Sequence, residues 1–422
     1  MDREQIYTSY MYSYPHKTAY GTIDADFGTL MDRLPDQNLN LYVHIPFCET
    51  KCGYCNLFSV TGWQEDGFGA YLQAVQEQAE QYGLLQRPIR WQSFTVGGGT
   101  PLILGERQLE DLMQLAAGIG ALDSPSCIET SPNQTTGEKV RILKENRIDR
   151  VSIGVQSFRD TELAMLQRNH KTEAARKALD LLKAAAFDCL NVDLIYGIRS
   201  QTRASLQYSL DQALAYEPEE LFVYPLYIRK GTGLHGRSQV QHESTYEFYW
   251  LIRDYLLTHG YHQVSMRRFT RQETGPGAGC GFESTLSLGC GGRSYLGNVH
   301  CCTPYAVKRA DCLNYLEEFI GSRDKGRIDF GYCLDVEEQK RRYVIRNLLH
   351  TDGICRDQYR EYFGSDAADD FKVLADLTAR QYCCQEGSRI RLTPLGMSLS
   401  DYIGPMFISH KVRERMEQWW QR

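Results

Sequence analysis

The 422-residue sequence has no uninterrupted apolar run of the ~20 residues that a membrane-spanning helix needs. It also lacks a marked excess of either charge, because 47 Lys and Arg stand against 53 Asp and Glu, for a net charge of −6. Such a balance gives no general attraction to nucleic acid. Residues 1–5 do not show the basic and then apolar layout of a secretory leader. We therefore expect a cytoplasmic protein that has neither nucleic-acid nor membrane partners.

The sequence contains no internal repeat and no low-complexity tract, which excludes solenoids and disordered linkers as its main architecture. Its fourteen cysteines are too dilute for the disulfide scaffold of a small secreted domain. Reduced thiols together with a metal site fit such a chain better. The length is enough for one large α/β domain and a smaller second domain.

Short β-rich runs alternate with longer amphipathic stretches between residues 39 and 230. This alternation predicts an α/β fold in which parallel strands are joined by crossover helices. Six such units favour a partial, open (β/α)6 barrel of the TIM type. The predicted strands are residues 40–45, 92–96, 127–130, 150–155, 189–195 and 220–224, and the predicted helices are residues 70–82, 106–117, 137–145, 173–186 and 204–215.

Polar or glycine-rich features follow the predicted strands at the point where each strand ends. They are Cys48, the glycine run at residues 97–101, Glu129, Gln156 and Asp193. Because the carboxyl ends of barrel strands carry the chemistry in this class of fold, we expect these features to meet at one rim.

The pattern changes after residue 230. A helix at residues 244–258 is followed by glycine-rich segments at 275–281 and 288–297, and the chain becomes helical from about residue 333. A hairpin at residues 388–396 within that helical region indicates a small, winged-helix-like C-terminal domain. We divide the chain into an N-terminal arm (1–38), the partial barrel (39–230), a barrel extension with the substrate-site region (231–332) and a helical C-terminal domain (333–422).

Cys48, Cys52 and Cys55 have the spacing C-x3-C-x2-C. They offer three thiolates where a [4Fe–4S] cluster usually takes four, so one iron would stay open for a small molecule. The alternative is half of a zinc site or a set of buried thiols. Structural zinc needs a fourth ligand, and the nearby His44 does not have the usual ligand spacing. The cluster is therefore the favoured interpretation.

This segment resembles the cluster motif of the radical S-adenosylmethionine (SAM) superfamily, with Tyr54 as the aromatic residue before the third cysteine. More narrowly, residues 42–48 resemble the oxygen-independent coproporphyrinogen III oxidase-like family, which also contains haem chaperones, haem-degrading methylases, methyltransferases and cyclopropanases. The resemblance implies a [4Fe–4S] cluster whose open iron binds SAM. It also implies reductive cleavage of SAM to a 5′-deoxyadenosyl radical, with a flavodoxin or ferredoxin as electron donor.

The same resemblance implies a set of cofactor-binding residues. Gly98, Gly99 and Thr100 match the turn that binds the methionine amino group, and Glu129 matches a residue that contacts SAM. Arg168 is suited to a carboxylate fork. The other members are Tyr42, Tyr54, Gln156 and Asp193. The alternatives are a glycine loop without a ligand, a surface ion pair between Glu129 and Arg168, and polar side chains that only cap helices.

The resemblance allows one or two SAM molecules in the site. Residues 223–226, with Leu226, and residues 292–295, with Ser294, resemble segments that line the space for a second SAM or for the substrate. Five downstream cysteines lack a recognisable ligand rhythm, and we expect them to be buried thiols rather than an additional cluster. They are Cys280, Cys290, Cys301, Cys302 and Cys312.

Two departures from the family bear on the reaction. The oxidase has another cysteine two residues after the third cluster cysteine, whereas this chain has Leu57 there, and the chaperone's histidine motif is replaced by residues 293–297. We expect a radical SAM enzyme that acts on an unsaturated organic substrate, of the tetrapyrrole or natural-product kind, by hydrogen abstraction or radical addition with SAM-derived methylene transfer. Haem trafficking and coproporphyrinogen III oxidation are the alternatives. The sequence assigns no further catalytic residue.

Overall fold

The computed structural model describes residues 6–7, 13–32, 34, 39–87, 89–237, 242–272 and 283–421, with only the backbone of 242 and 243. The predicted glycine-rich segment at 275–281, including Cys280, lies outside the described residues. No helix among the described residues is both long and apolar enough to cross a bilayer.

The described residues build one 13-stranded sheet, and its ends do not pair with each other. In chain order its strands are β1 (Gly21–Asp26), β2 (Leu39–Ile45), β3 (Trp91–Gly98), β4 (Ser126–Thr130), β5 (Arg150–Gln156), β6 (Cys189–Tyr196), β7 (Glu220–Pro225), β8 (His262–Gln263), β9 (Arg268–Thr270), β10 (Ser284–Leu288), β11 (Arg293–Leu296), β12 (Val299–Cys302) and β13 (Arg327–Cys333). Along the sheet they follow the order β1-β13-β12-β11-β10-β2-β3-β4-β5-β6-β7-β9-β8.

Strands β2 to β7 form the six parallel strands of the predicted partial barrel, and the predicted ends agree with the observed ones to within two residues. The prediction of an open (β/α)6 barrel is therefore confirmed. The structure adds a seventh parallel strand, because β10 pairs with β2 in the same direction although it comes about 240 residues later. Antiparallel strands then extend the sheet at both edges, and β1 from the N-terminal arm pairs with β13.

Five crossover helices follow the predicted pattern. They are Glu65–Gln81, Glu106–Gly118, Gly137–Glu145, Thr172–Ala185 and Arg203–Leu214. Two of them begin with side-chain caps: Thr136 accepts a hydrogen bond from Lys139 N, and Thr202 and Ser205 form a capping box. The first helix begins five residues earlier than predicted, because glycines at 67 and 69 hide its first turns in the sequence.

The C-terminal region combines short helices with a three-stranded sheet. Its strands are Ile354–Cys355, Cys383–Glu386 and Arg389–Leu392, and the last one lies in the middle. The predicted hairpin is therefore present but begins earlier, at Cys383. The helices are Val336–Leu348, Arg356–Phe363, Ala367–Asp370, Val373–Ala379, Pro394–Ser398, Ser400–Ile403 and His410–Gln421. We refer to His410–Gln421, which the sequence patterns did not predict, as the C-terminal helix.

The lower half of the barrel interior is closed by an ion-pair network. Arg150 on β5 binds Glu220 on β7 at 2.8 Å, and its other nitrogen donates to Cys127 Sγ on β4 at 2.8 Å. Arg268 on β9 also pairs with Glu220. Because these charged groups satisfy one another at the amino ends of the strands, the carboxyl ends are left as the open side of the barrel.

Candidate active site at the carboxyl ends of the parallel strands

The loop with the three cysteines leaves β2 and is tied to its surroundings by backbone hydrogen bonds. Gly53 N donates to Leu166 O at 3.0 Å, and Leu234 N donates to Gly53 O at 2.7 Å. A Cβ on Gly53 would lie 2.7 Å from Leu234 Cγ, so a side chain at this position would push the two segments apart. The glycine thus allows the loop to sit deep in the mouth of the barrel.

The thiols of this loop are partly buried and lie close to one another. Burial and the neighbouring Cys55 raise the pKa of the Cys48 thiol to about 12, and burial also raises the pKa of Cys55. Such thiols become thiolates when they coordinate a metal. No group of three or more His, Cys, Asp or Glu in the described ranges is arranged for a single metal ion. An iron–sulfur cluster instead takes its cysteines around a larger core.

The glycine turn after β3 contacts the cysteine loop directly. Gly99 N donates to Ile45 O at 2.8 Å, and the Thr100 hydroxyl points at Cys48 Sγ at 3.9 Å. A Cβ on Gly99 would lie 2.4 Å from Phe47 O and 2.9 Å from Cys48 Sγ. Residue 99 must therefore be glycine for the turn to approach the first cysteine.

Gly98 has a φ of +121°, which side chains rarely adopt, and a Cβ there would lie 2.7 Å from the ring of His44. Its backbone N–H donates to Glu129 Oε2 at 3.1 Å. Burial raises the pKa of Glu129, and the bond from Gly98 opposes that rise. The strand-end carboxyl group and the glycine turn therefore form one hydrogen-bonded unit.

Asp193 on β6 is a second buried carboxyl group in the site. Burial raises its pKa to about 7, while a 2.7 Å hydrogen bond from Asn191 Nδ2 acts in the opposite direction. The nearby charge of Glu129 raises this pKa further, and Arg150 and Arg168 lower it. A carboxyl group of this kind can accept hydrogen bonds from the hydroxyl groups of a ligand.

Arg168 reaches the cysteine loop from the segment after β5. Its Nη1 donates to Cys52 Sγ at 3.0 Å and its Nη2 donates to Gly154 O at 2.5 Å, while the buried Nε has no partner. The surface ion pair with Glu129 that the sequence left open is not formed, because Arg168 binds these two groups instead. Gln156 is held nearby at the end of β5 with a positive φ of +70°.

These elements enclose a cavity of about 860 Å³ above the parallel strands. Its wall includes most of the residues that the sequence predicted to bind a cluster or SAM. They are Cys48, Cys52, Tyr54, Cys55, Gly98, Gly99, Thr100, Glu129, Gln156, Arg168 and Asp193. Three free thiols, a glycine turn that tolerates no side chain, and buried carboxyl groups in one cavity fit a thiolate-bound cluster with an adjoining polar cofactor.

Three predicted residues lie outside this wall. Tyr42 lies below the glycine turn, with its hydroxyl 3.3 Å from His44 Nδ1. Leu226 packs in a small apolar cluster with Leu166 and Ile195. The Ser294 hydroxyl on β11 accepts a hydrogen bond from Ser287 N at 2.9 Å and so joins neighbouring strands of the sheet. The structure does not bring the side chains of these three residues into the cavity.

The outer wall of the cavity was not predicted from the sequence. It is formed by residues before the barrel, by the cysteine loop, by the segments after β7 and β12, and by the C-terminal helix. Its members include His16, Lys51, Tyr227, Arg229, Lys230, Tyr305, Met416 and Trp420. The available signal was the concentration of aromatic and basic residues in these separate segments, but only the tertiary structure brings them together.

Comparison with known proteins gives two family matches. The model of the radical SAM superfamily matches residues 42–213, and the model of the HemN C-terminal domain matches residues 334–399. The first match covers the cysteine loop and the strands up to β6, and the second covers most of the region with the small sheet.

The curated relatives belong to two groups. The heme chaperone HemW of Bacillus subtilis is 28% identical over 392 residues, which are 87% of this chain and 98% of that protein. The oxygen-independent coproporphyrinogen III oxidase of Pseudomonas aeruginosa is 31% identical over 223 residues, which are 52% of this chain and 48% of the oxidase. The chain thus matches the chaperone over its length and the oxidase over about half of its length.

Among solved structures, coproporphyrinogen III oxidase from Escherichia coli superimposes with a TM-score of 0.79. The match covers 94% of this chain and 96% of that chain at 22% sequence identity. At this identity the likeness concerns the fold, and it extends beyond the parallel strands into the C-terminal region.

Proposed function

Because the chain belongs to the radical SAM superfamily, in the group that contains coproporphyrinogen III oxidase-like and haem chaperone-like proteins, we propose that it is a radical SAM enzyme that acts on an unsaturated organic substrate. The observation that carries this proposal is the meeting of the three cysteines, the glycine turn and the buried carboxyl groups in one cavity of about 860 Å³. That size suits a cofactor with a small organic molecule.

Each group of residues has its own part in the proposed site. Cys48, Cys52 and Cys55 would hold a [4Fe–4S] cluster as thiolates. When bound, such a cluster would supply the electron for reductive cleavage of SAM to methionine and a 5′-deoxyadenosyl radical. The N–H and C=O groups of the Gly98–Gly99 turn would bind the amino acid end of SAM, together with Thr100.

The buried polar residues would orient the rest of SAM. Glu129 is fixed by Gly98 N, and Asp193 is fixed by Asn191, so neither carboxyl group has to be ordered when the ligand binds. We assign the ribose hydroxyls to Asp193, and we place Gln156 beside them. The aromatic outer wall, with Tyr305 and Trp420, would exclude water from the radical.

The proposal is made for one SAM molecule. The two residues that suggested a second molecule, Leu226 and Ser294, have their side chains in other contacts. A flavodoxin or ferredoxin is the proposed electron donor, and the cytoplasm, which protects an oxygen-sensitive cluster, is the proposed location.

The test is anaerobic reconstitution of the full chain with iron and sulfide. We expect about four irons per chain, a visible thiolate-to-iron absorption and, with a strong reductant and SAM, the release of 5′-deoxyadenosine. The Cys52→Ala variant should lose both the absorption and the product. As a control, Cys333→Ser changes an exposed cysteine on β13 and should retain both. A zinc-containing protein, or full SAM cleavage by Cys52→Ala, would refute the proposal.

A haem-binding role is the second candidate, because the chaperone of Bacillus subtilis matches this chain over 98% of its own length. The same preparation distinguishes the two candidates. Stoichiometric haem retention without 5′-deoxyadenosine would support trafficking. S-adenosylhomocysteine that appears together with 5′-deoxyadenosine would support the enzyme and indicate methylene transfer. Porphyrinogen-stimulated cleavage of SAM would indicate the oxidase reaction.

A further inference from the structure

The outer side of the cysteine loop is covered by little more than one thickness of backbone. Gly53, which lies between Cys52 and Cys55, accepts a hydrogen bond from Leu234 N at 2.7 Å. The neighbouring Gly233 is exposed, and a Cβ placed on it would lie 3.4 Å from Gly53 Cα. Because residue 233 has no side chain, solvent comes close to the cysteine loop at this point.

Two other segments border the same part of the loop. Gly53 N donates to Leu166 O at 3.0 Å, and the preceding residue, Met165, is 39% exposed. Ser200 Oγ donates to Met165 Sδ at 3.4 Å, which brings the segment after β6 to the same place. We refer to the exposed residues of these segments as the outer loop surface, formed by Met165, Arg199, Arg203, Gly233 and Arg237. None of these five is among the residues that line the cavity.

Basic residues are concentrated in these segments. Residues 163–171, 197–203 and 229–237 together contain seven Lys and Arg and no Asp or Glu, although the whole chain has a net charge of −6. Three of the seven contact the cysteine loop or line the cavity, whereas the other four are exposed: Lys171, Arg199, Arg203 and Arg237. None of these four forms an ion pair with a residue that the structure describes.

The nearest acidic side chains in the sequence are engaged elsewhere. Glu162 is buried and accepts hydrogen bonds from three neutral side chains. Asp160 accepts a hydrogen bond from Thr172 N at 2.9 Å, at the start of the helix Thr172–Ala185. The outer loop surface therefore presents arginines around the exposed thioether of Met165 and an exposed glycine.

The position of this surface suits the entry of electrons. In the proposed function SAM and the substrate occupy the cavity, so an electron donor has to approach the cysteine loop from outside. Electron transfer between proteins becomes rapidly slower with distance, which favours contact where the cover of the loop is thinnest. Complementary charge steers such an encounter, and redox complexes typically have small interfaces.

We propose that the outer loop surface docks a flavodoxin-type protein, whose acidic rim pairs with Arg199, Arg203 and Arg237 while its exposed flavin edge lies over Gly233. The apolar edge of a flavin matches the exposed thioether of Met165, which favours a flavin carrier over an iron–sulfur carrier. The inference rests on the proposed function and adds the surface through which the site receives electrons. It places electron entry and substrate entry on different sides of the cysteine loop.

The test measures binding of the reconstituted full chain to an immobilised bacterial flavodoxin by surface plasmon resonance. We expect a dissociation constant of roughly 10 μM at about 0.05 M salt, in keeping with a transient redox contact. Affinity should fall at least about fivefold by about 0.3 M salt, because the paired charges are exposed. A plant-type [2Fe–2S] ferredoxin is the comparison probe and should bind more weakly.

A charge-reversal variant and a matched control locate the surface. Arg199→Glu with Arg237→Glu changes two exposed arginines and should weaken flavodoxin binding roughly tenfold. Arg107→Glu with Arg380→Glu gives the chain the same net charge through exposed positions in the helix Glu106–Gly118 and in the C-terminal domain. This control should bind flavodoxin as tightly as the unmodified chain.

A kinetic measurement shows whether the bound flavodoxin is placed for electron transfer. In stopped flow, reduced flavodoxin should reduce the cluster of the charge-reversal variant roughly tenfold more slowly than that of the unmodified chain. Dithionite, a small reductant that needs no docking surface, should reduce both at the same rate.

The outcomes separate this inference from the proposed function. Unchanged affinity in the charge-reversal variant, equal weakening in the control, or no flavodoxin binding at low salt would overturn the surface. Tighter binding of ferredoxin would overturn flavodoxin as its partner. Release of 5′-deoxyadenosine with dithionite is measured on the same preparations. Its absence from the unmodified chain, with flavodoxin still bound through Arg199 and Arg237, would overturn the proposed function and leave the docking surface standing.

Discussion

Arg168 donates a hydrogen bond to the sulfur of Cys52 at 3.0 Å, so a buried guanidinium group contacts one of the three proposed cluster ligands. The sequence suggested that Arg168 would form a fork for a carboxylate. In the structure two of its nitrogens bind Cys52 Sγ and Gly154 O, and the carboxylate fork stays a prediction. The arginine therefore places a positive charge where the proposed cluster would carry negative charge.

We predict that Arg168→Gln makes the reduction potential of the reconstituted cluster more negative. Hydrogen bonds to cluster sulfurs and nearby positive charge both favour the reduced state, so their loss disfavours it. A charge-assisted hydrogen bond is worth about 1.5–3 kcal/mol, which corresponds to roughly 60–130 mV for one electron. The measurement is a redox titration in the absence of SAM, in which electron paramagnetic resonance monitors the reduced cluster.

The matched control for this variant is Arg176→Gln. Arg176 contacts Tyr208 and Gln212 on the neighbouring helix Arg203–Leu214. The reduction potential of the cluster in Arg176→Gln should equal that of the cluster in the unmodified protein. An unchanged potential in Arg168→Gln would show that the contact with Cys52 does not influence the cluster.

We predict that Gly99→Ala disrupts the contact between the glycine turn and the cysteine loop. The new methyl group would lie 2.4 Å from Phe47 O, a backbone atom that cannot move without shifting Cys48. Iron content after reconstitution should fall to less than about half, and SAM binding by equilibrium dialysis should weaken at least roughly tenfold.

Gly137→Ala serves as the control for the glycine variant. Gly137 is the first residue of a helix, and a Cβ there meets no atom within 4 Å. Alanine should fit there without loss of iron or SAM binding. Normal iron content in Gly99→Ala would mean that the turn can retreat and that its close approach is not required.

Asp193→Asn should alter both SAM binding and the pH dependence of stability. An unfolded aspartate ionises near pH 3.9, whereas burial raises the folded pKa to about 7. Between these values the unfolded state binds fewer protons, so the folded protein loses stability as pH rises. Asparagine cannot ionise and removes this loss. The melting temperature of the variant relative to the unmodified protein should therefore increase from about pH 5 to about pH 8.

The same variant should bind SAM more weakly at equilibrium dialysis, while its iron content stays unchanged. Asp188→Asn, at an exposed position just before β6, provides the control and should alter neither property. Normal SAM affinity in Asp193→Asn would show that this carboxyl group is structural. A pH-independent difference in melting temperature would contradict the raised pKa.

A buried ion pair joins Arg267, just before β9, to Asp401 in the helix Ser400–Ile403. Arg267 and Asp401 pair with side-chain exposures of 8% and 1%, and both contact the hydroxyl of Tyr227 on the cavity wall. We predict that Asp401→Asn lowers the free energy of unfolding by about 3–5 kcal/mol, because it leaves the guanidinium group buried without its counter-charge. Urea denaturation of the full chain measures the change.

The double variant Arg267→Met with Asp401→Leu should be more stable than Asp401→Asn alone, since no uncompensated charge remains. For comparison, Lys411→Ala breaks an exposed pair with Asp335 and should cost less than about 1 kcal/mol. The single variants Arg267→Met and Asp401→Leu complete the comparison. If their losses of unfolding free energy add up to the loss in the double variant, the two residues do not act as a buried ion pair.

The sequence predicted the parallel strands well, and most of the residues that it proposed for the cofactor line one cavity, because both patterns depend on local signals. Alternating apolar runs marked β2 to β7, and the unusual residues lay directly after those strands. The start of the first helix was missed for a tertiary reason. A Cβ on Gly67 would lie 2.0 Å from Trp63 Nε1, so glycine is kept there for packing although it weakens the helix signal.

The outer wall could not be predicted because its parts are brought together only by long-range packing. The C-terminal helix carries an apolar stripe of Val412, Met416, Trp419 and Trp420, but only the tertiary structure shows that it packs against the turn Lys17–Ala19 and against Tyr305. The sequence pattern also did not predict strand β10, because glycine-rich segments flank it in the sequence. Ser294 stays a prediction, and in the structure its hydroxyl accepts a hydrogen bond from Ser287 N on the neighbouring strand.

Because the sheet is open, different segments of the chain supply the two sides of the cavity. Residues that face the proposed cofactor come from the continuous segment 39–225, whereas the outer wall, apart from Lys51, is assembled from pieces before and after it. A chimera that keeps the continuous segment and exchanges the outer pieces would therefore alter which molecule is admitted while the cysteine loop and the glycine turn stay as they are. In this architecture the residues that select the substrate can change while the residues at the strand ends stay the same.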